Sequence, residues 1–319
     1  MRRITTVATY RLLAIVTTAG VCLLVVAGAF VRLTGSGLGC DDWPRCNAER
    51  FIDVSSGHTA IEQVNRLLSG VIGVPTLLLV VVGLLAAPRG AGLRWPALGV
   101  LATILGNGVV GGLAVRGDLH PALVQSHFLL AMGSIAFGLI AVRRSGDLLA
   151  GAGRARRLDP HEPSTPLVGV VVAATALALV TGTVVTGAGP HAGDEDVRRY
   201  ALDIGAIARV HSATVIVAVA AAAVLGWVLA RRGGRPEVRG ALSAWTFTAL
   251  VQAGIGYAQY FTGVPALLVG LHVAGATALW VLTVRLALST ARAELPVEPV
   301  ERPDGVPARG FARGGTPVV

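Results

Sequence analysis

The sequence predicts an all-α integral membrane protein whose eight transmembrane helices form two repeated four-helix units. Three observations carry that expectation: a mean hydropathy of +0.68 with only 14% charged residues, eight apolar stretches of spanning length, and motifs that recur in the same order in both halves. A water-soluble domain of 319 residues could hardly carry so much apolar surface without aggregating.

Stretches of roughly 20 residues with little charge cover Leu12–Val31, Leu67–Ala87, Trp95–Val115, Pro121–Val142, Pro166–Ala188, Val210–Ala230, Ala241–Phe261 and Val264–Val284. The first follows Arg2, Arg3 and Arg11 and ends near Ala27, Gly28 and Ala29, which also suits a cleaved signal peptide. Its length and the seven runs after it favour a span. Runs of this length overshoot barrel strands, and a lone span must satisfy its backbone hydrogen bonds internally, so helices follow.

All 27 basic residues are arginine, and the formal net charge is +9. That excess would suggest nucleic acid if it formed one patch on a soluble fold. Here the arginines lie between apolar runs, so no nucleic-acid partner is expected. With the N-terminus inside, nineteen arginines fall on the cytoplasmic side and eight outside. The excess of positive charge inside predicts a multi-pass protein of the cell membrane with both termini cytoplasmic. The expected units are 1–143 and 166–288, joined by a cytoplasmic linker over 144–165. The tail, 289–319, is rich in Pro, Gly and Arg without an apolar period and is expected to be disordered.

The two halves echo each other. Helix one ends in Thr34-Gly35-Ser36-Gly37 and helix five in Thr186-Gly187-Ala188-Gly189, a shared Thr-Gly-small-Gly. Helix four opens Pro121-Ala-Leu-Val-Gln-Ser-His127 and helix eight Pro265-Ala-Leu-Leu-Val-Gly-Leu-His272. Each follows a helix with a glycine 15 or 16 residues before the histidine, Gly112 and Gly256.

Three of the seven histidines, His127, His211 and His272, lie inside expected spans. An ionisable residue there is expensive and is by default a functional hypothesis, although a lone case can equally be a hydrogen bond between helices. All three fall within the first two turns of helices that enter from the same side, so they share a layer. Two facing helices can each supply an imidazole to a haem iron, and His211 and His272 make such a pair. In the first unit, His127 faces helix two, where Asn65 takes the place of His211. Asparagine is a poor iron ligand; His58, two turns higher, is a substitute candidate. A filled bis-His iron suits electron transfer and a half-vacant one suits a reacting substrate, which divides the chain into an electron-transfer half and a reacting half.

Glu62 and Arg66 stand four residues apart, which suits an ion pair on the helix surface. The carboxylate could alternatively take up a proton and the guanidinium hold a haem propionate. Cys40 and Cys46 in the outer loop can form a disulfide. Their C-x5-C spacing is not that of thioredoxin-like redox sites, which favours a structural bond. Cys22, inside helix one, reads as an inert apolar residue. His120, His161 and His191 fall in loops and read as solvated. No Rossmann-type glycine fingerprint or P-loop is present, so neither nicotinamide nor ATP is expected.

The run Val31-Arg-Leu-Thr-Gly-Ser-Gly-Leu-Gly-Cys40-Asp-Asp-Trp-Pro-Arg-Cys46 resembles the first-loop signature of the haem A synthase family, and Thr186-Gly-Ala-Gly-Pro190-His-Ala-Gly-Asp194 resembles its counterpart after helix five. The resemblance covers helices one to eight. It implies haem B as cofactor in the C-terminal half and haem O as substrate in the N-terminal half. The implied reaction takes one porphyrin methyl through the alcohol to a hydrate that loses water to a formyl group. Carried over residue by residue, the haem B ligands fall on His211 and His272 and the N-terminal iron ligand on His127. The catalytic glutamate falls on Glu62, and the loop cysteines on Cys40 and Cys46. The sequence departs from the family pattern at Asn65, where a second N-terminal histidine is usual. Expected partners are haem O, haem O synthase, membrane lipid and an electron donor that the sequence does not identify; a homo-oligomer is compatible. The rival readings are a membrane b-type cytochrome acting only in electron transfer and a transporter, since many transporters are built from repeats.

Overall fold

A computed structural model describes residues 2–86, 92–151, 157–158 and 164–292. Eight long helices follow in chain order: α1 Arg2–Leu33, α2 Gly57–Val81, α3 Arg94–Arg116, α4 Pro121–Leu149, α5 Thr165–Ala188, α6 Ile204–Arg232, α7 Pro236–Phe261 and α8 Ala266–Ser289. A π-helical turn, Val82–Ala86, prolongs α2. The only strands among the described residues are β1, Arg157–Leu158, and β2, Ala291–Arg292, an antiparallel two-residue ladder. The expected disorder of the tail falls largely on residues 293–319, which lie outside the described residues, as do 152–156 and 159–163 of the expected linker.

Several helices outrun their apolar stretches. Ser56 caps α2 in a reciprocal pair with Thr59, so the polar turns from His58 to Arg66 are helical although hydropathy alone starts the span at Leu67. Asp203 accepts the Ala206 N–H at 2.6 Å and starts α6 before Arg209, where charge hides the helix from an apolar window. At its other end α4 runs through Arg143, Arg144 and Asp147 to Leu149, inside the segment expected to be linker.

Seven of the eight helices are long and apolar enough to cross a membrane; α7 is not among them. Seven of the eight expected spans are thus met by length and composition. What sets α7 apart is polar content: Ser243, Thr246, Thr248, Gln252, Tyr257, Gln259 and Tyr260 dilute its apolar residues. Large apolar side chains on the outside, such as Leu12, Val71, Val217 and Leu267, are exposed as a lipid-facing surface requires. The chain is a multi-pass integral membrane protein.

The helices close two rings. In one, α1 packs on α2, α2 on α3, α3 on α4 and α4 on α1; in the other, α5 packs on α6, α6 on α7, α7 on α8 and α8 on α5. Contacts of α1 and α4 with α8, and of α4 with α5, join them. Within each ring the even-numbered helices therefore stand diagonally opposed. The tightest apolar packing lies at the end where α1 begins. Tyr10, Leu79, Leu93, Ala97 and Ala141 plug one ring there. Val171, Leu225, Val238, Trp245 and Leu286 plug the other. Their polar tips are satisfied, with Tyr10 donating to the Leu93 carbonyl at 2.8 Å and Trp245 to Thr283 Oγ1 at 2.9 Å. The histidines lie toward the opposite end.

Candidate haem-binding site

Four connections converge at that opposite end. The Gly37 N–H donates to the Gly193 carbonyl at 2.8 Å, tying the loop after α1 to the loop after α5. His191 Nε2 donates to the Val264 carbonyl at 3.0 Å, tying the latter to the turn before α8; the loop histidine expected to be solvated is thus half-buried and engaged. Arg116, the last residue of α3, donates to the Trp43 carbonyl at 2.6 Å and to Asp42 at 3.3 Å.

The loop after α1 is closed by a disulfide between Cys40 and Cys46, both fully buried. Beneath it, Glu62 is buried with both carboxylate oxygens engaged. Oε2 accepts the Cys40 N–H at 2.7 Å, and Oε1 accepts Arg66 Nε at 3.1 Å and Nη2 at 2.6 Å. Arg66 Nη1 also donates to the Asp42 and Arg45 carbonyls. The i,i+4 pair therefore exists, but as the clip that fastens the loop to α2. It leaves Arg66 one of its five N–H groups. Outside the helices, Asp53 Oδ1 accepts the Ser55 N–H and Oδ2 accepts Asn47 Nδ2, and these bonds, those from Ser55 foremost, hold its carboxyl down at about 2.

The three helical histidines lie six or seven residues from the first residue of α4, α6 and α8, roughly 9–10 Å along each axis. The early start of α6 brings His211 to the same depth as the others. His211 and His272, on the diagonal of their ring, face each other with centroids 6.4 Å apart and planes at 86°. An iron held axially between two imidazoles needs centroids about 6 Å apart, which is two metal–nitrogen bonds of about 2 Å each plus the ring radii. Thr181 Oγ1 lies 3.1 Å from His211 Nδ1 and within reach of two carbonyls, those of Leu177 and Ala178. With its hydrogen on one of these carbonyls, Oγ1 would accept from Nδ1–H and leave Nε2 as the free donor atom. His272 Nδ1 is buried without a partner. No cluster of three or more His, Cys, Asp or Glu that could hold a metal exists among the described residues. Two opposed imidazoles with no further protein ligand suit an iron whose other four ligands come from a porphyrin.

Glycines admit these rings. A Cβ on Gly182 would stand 3.0 Å from His211 Cε1, on Gly256 3.1 Å from His272 Cε1, and on Gly111 3.2 Å from His127 Cε1. The glycine paired with His127 is thus Gly111, not the expected Gly112, which lies under Trp43. Gly111 precedes His127 by the same interval as Gly256 precedes His272. Sequence reasoning also missed an amide at equal spacing, Asn107 and Gln252. The backbone of Asn107 lies near the ring of His127, and Gln252 Nε2 donates to the His272 carbonyl at 2.7 Å. Their shared distance to the following histidine was the available signal. In the first ring, His127 on α4 stands on the diagonal from α2, which carries Asn65 with its Oδ1 buried and unpartnered. His58 lies at the start of α2, exposed, 2.9 Å from Ser36 Oγ.

Fold and site together define a multi-pass helical membrane protein that gathers imidazoles from opposed helices near one membrane edge. A family model described as cytochrome oxidase assembly protein matches residues 11–55 and 51–284. The chain belongs to that family, in agreement with the resemblance drawn from its loop motifs. Among similar curated proteins are those named Heme A synthase from Bacillus cereus strain AH187, Bacillus anthracis strain A0248 and Bacillus thuringiensis subsp. konkukian strain 97-27. Each is 30% identical over 125 residues, covering 39% of this chain and 40% of the relative. The match thus spans about two-fifths of the length of these relatives.

Proposed function

We propose that the protein is a haem A synthase, which oxidises one methyl group of haem O to a formyl group through two successive hydroxylations. The observation that carries this reading is the facing of His211 and His272 across one ring, set against His127 opposite Asn65 in the other. One ring offers two axial imidazoles and the other one. His211 and His272 would hold haem B, which would supply one-electron transfer when bound.

The remaining roles belong to the chain itself. His127 holds the iron of the substrate haem O and leaves its other face open toward α2. Glu62 is the residue assigned to the reaction, as a proton acceptor at Oε2. Arg66, besides a contact to the porphyrin through its remaining N–H, keeps Glu62 and the disulfide loop in place. The apolar plugs at the far end keep both reacting centres near the loop end and away from the far side.

Residues 1–143 and 166–288 act as the haem O and haem B units of the cell-membrane protein, with the disulfide outside and both termini cytoplasmic. α7 crosses with its neighbours, since it completes the second ring and turns Phe247, Leu250 and Val251 outward. Haem O synthase is the expected source of substrate. Expression with haem O followed by pigment extraction tests the proposal: haem A should accumulate, and lose that accumulation with Glu62→Ala. Normal haem binding with no haem A would instead indicate a b-type cytochrome confined to electron transfer.

A further inference from the structure

Glu62, Arg66 and the loop carbonyls satisfy one another, but two other arginines at the same end have no carboxylate partner among the described residues. Arg32, the penultimate residue of α1, makes no hydrogen bond or ion pair among the described residues, and its Nε is buried. Arg199, between α5 and α6, donates to the Gly189 carbonyl, and the loop that carries it reaches Arg32 at Gly193. The acids of the same loop, Asp194, Glu195 and Asp196, and the α6 cap Asp203 form no ion pair with either arginine among the described residues. Arg32 is half-buried beside the loop of a second cation, with its Nε shut off from solvent and no ion-pair partner among the described residues, an arrangement that an anion would relieve.

The surroundings say which anion. The stem of Arg32 lies against Gly193 in the loop that carries Arg199. The next residue, Leu33, packs on α8 at Gly270, two residues before His272. His191, in the same loop as Arg199, is bonded to the turn just before α8. The two cations thus sit beside the end of α8 from which His272 projects, and the buried Nε of Arg32 is turned away from the bulk lipid surface. A guanidinium presents a planar fork matched to a carboxylate.

We infer that Arg32 and Arg199 clamp the carboxylate side chains of the porphyrin seated between His211 and His272. This rests on the haem reading above. Arg66, spent on Glu62 and the loop, is not the principal propionate partner; the clamp belongs to the junction of the two rings.

The test compares iron protoporphyrin IX with its dimethyl ester, in which both carboxylates are blocked. The full chain, produced in haem-depleted cells and held in phosphatidylcholine nanodiscs, is titrated with each while the low-spin bis-imidazole spectrum is followed. The parent should bind the ester about tenfold or more weakly than the free acid, the loss expected for one charged hydrogen-bonded contact. Arg32→Gln and Arg199→Gln should each weaken free-acid binding by a similar factor and leave ester binding unchanged, and Arg32→Lys should recover part of the loss. Equal affinity of the parent for acid and ester, with a normal bis-imidazole spectrum, would overturn the clamp alone. A parent without that spectrum would overturn the haem reading and the clamp with it. If phosphatidylglycerol stabilises the parent but not Arg32→Gln while haem affinity is unaffected, a lipid phosphate is the partner and the clamp is wrong. Should Arg32→Gln not fold, the parent's ester comparison and Arg199→Gln still decide.

Discussion

The two rings share a plan and differ at one diagonal. Each brings a histidine from its fourth helix, His127 or His272, beside a glycine and an amide at identical spacings on the helix before. Their second helices differ: α6 supplies His211 and α2 supplies Asn65. The first helices differ too. Gly182, four residues before Thr186, makes room for His211, whereas Phe30 stands four residues before Thr34. The ring without the second imidazole also lacks the glycine that would seat it. A change of ligand is therefore accompanied by a change of residue at the matched position of the first helix.

The largest expected effect tests the complete diagonal. His211→Ala or His272→Ala should abolish the low-spin haem B spectrum of the purified protein, because each removes one axial ligand. His127→Ala should leave that spectrum in place. Retention of an unchanged spectrum in either of the first two variants would remove the ligand assignment.

A smaller effect distinguishes the clipped loop of the first ring from its counterpart in the second. Arg66→Gln leaves the buried Glu62 carboxylate without its cation, and breaking such a pair costs about 3–5 kcal/mol. Thermal unfolding should shift accordingly, and the disulfide loop should become more accessible to protease. Glu62→Gln should cost less, since Arg66 keeps its two loop carbonyls. Equal stabilities of the parent and Arg66→Gln would show that the loop is held by the disulfide alone.

Much of this difference could be read from the residues. The common depth of His127, His211 and His272 and the pairing of Glu62 with Arg66 follow from spacing, Asn65 in the place of His211 follows from the repeat, and its departure from a family pattern follows from the resemblance. The pairing of His211 with His272 was also readable from their place on even-numbered helices of one unit, but their 6.4 Å separation was not, because it depends on how four helices close a ring. Helix starts were obscured at Glu62 and Arg209, where capping and polar turns continue a helix that hydropathy ends. The one-residue displacement from Gly112 to Gly111 is a 100° rotation on a helix, beyond what an interval of 15 or 16 can decide. Arg32 in sequence is simply a cation at a membrane edge; its lack of a carboxylate becomes visible only when the loops after α1 and α5 are brought together.

The comparison sharpens further at Asn65. Asn65→His should move the N-terminal, haem-O-loaded iron toward a six-coordinate low-spin state, since α2 would then offer an imidazole on the diagonal from His127. Asn65→Ala should leave that iron nearly as it is. Resonance Raman spectra decide this, and a parent whose N-terminal iron is already bis-imidazole would mean that another residue, such as His58, completes the site. Because Phe30 replaces glycine on α1, the shift in Asn65→His should be incomplete, and a Phe30→Gly, Asn65→His double variant should carry it further.

The smallest effect concerns acid and the loop after α1, which the second ring matches only with an open connection. Asp53 binds the Ser55 N–H, Asn47 and Arg50, and its folded value of about 2 lies below the ordinary carboxylate value of about 3.9. A group depressed in this way contributes stability that is fully present above the unfolded value and is lost as pH falls through the folded one. Loop order should therefore be flat from neutral pH down to about 5 and decline only between about 4 and 2. Hydrogen exchange over residues 47–56, corrected for intrinsic rates, reads this directly, because the Ser55 amide is itself one of the donors. Asp53→Asn should remove the decline while the loop after α5 behaves identically in both proteins. A transition that begins near pH 6, or one that persists in Asp53→Asn, would mean that another group controls the loop, and the acid response would then say nothing about what sets the two rings apart.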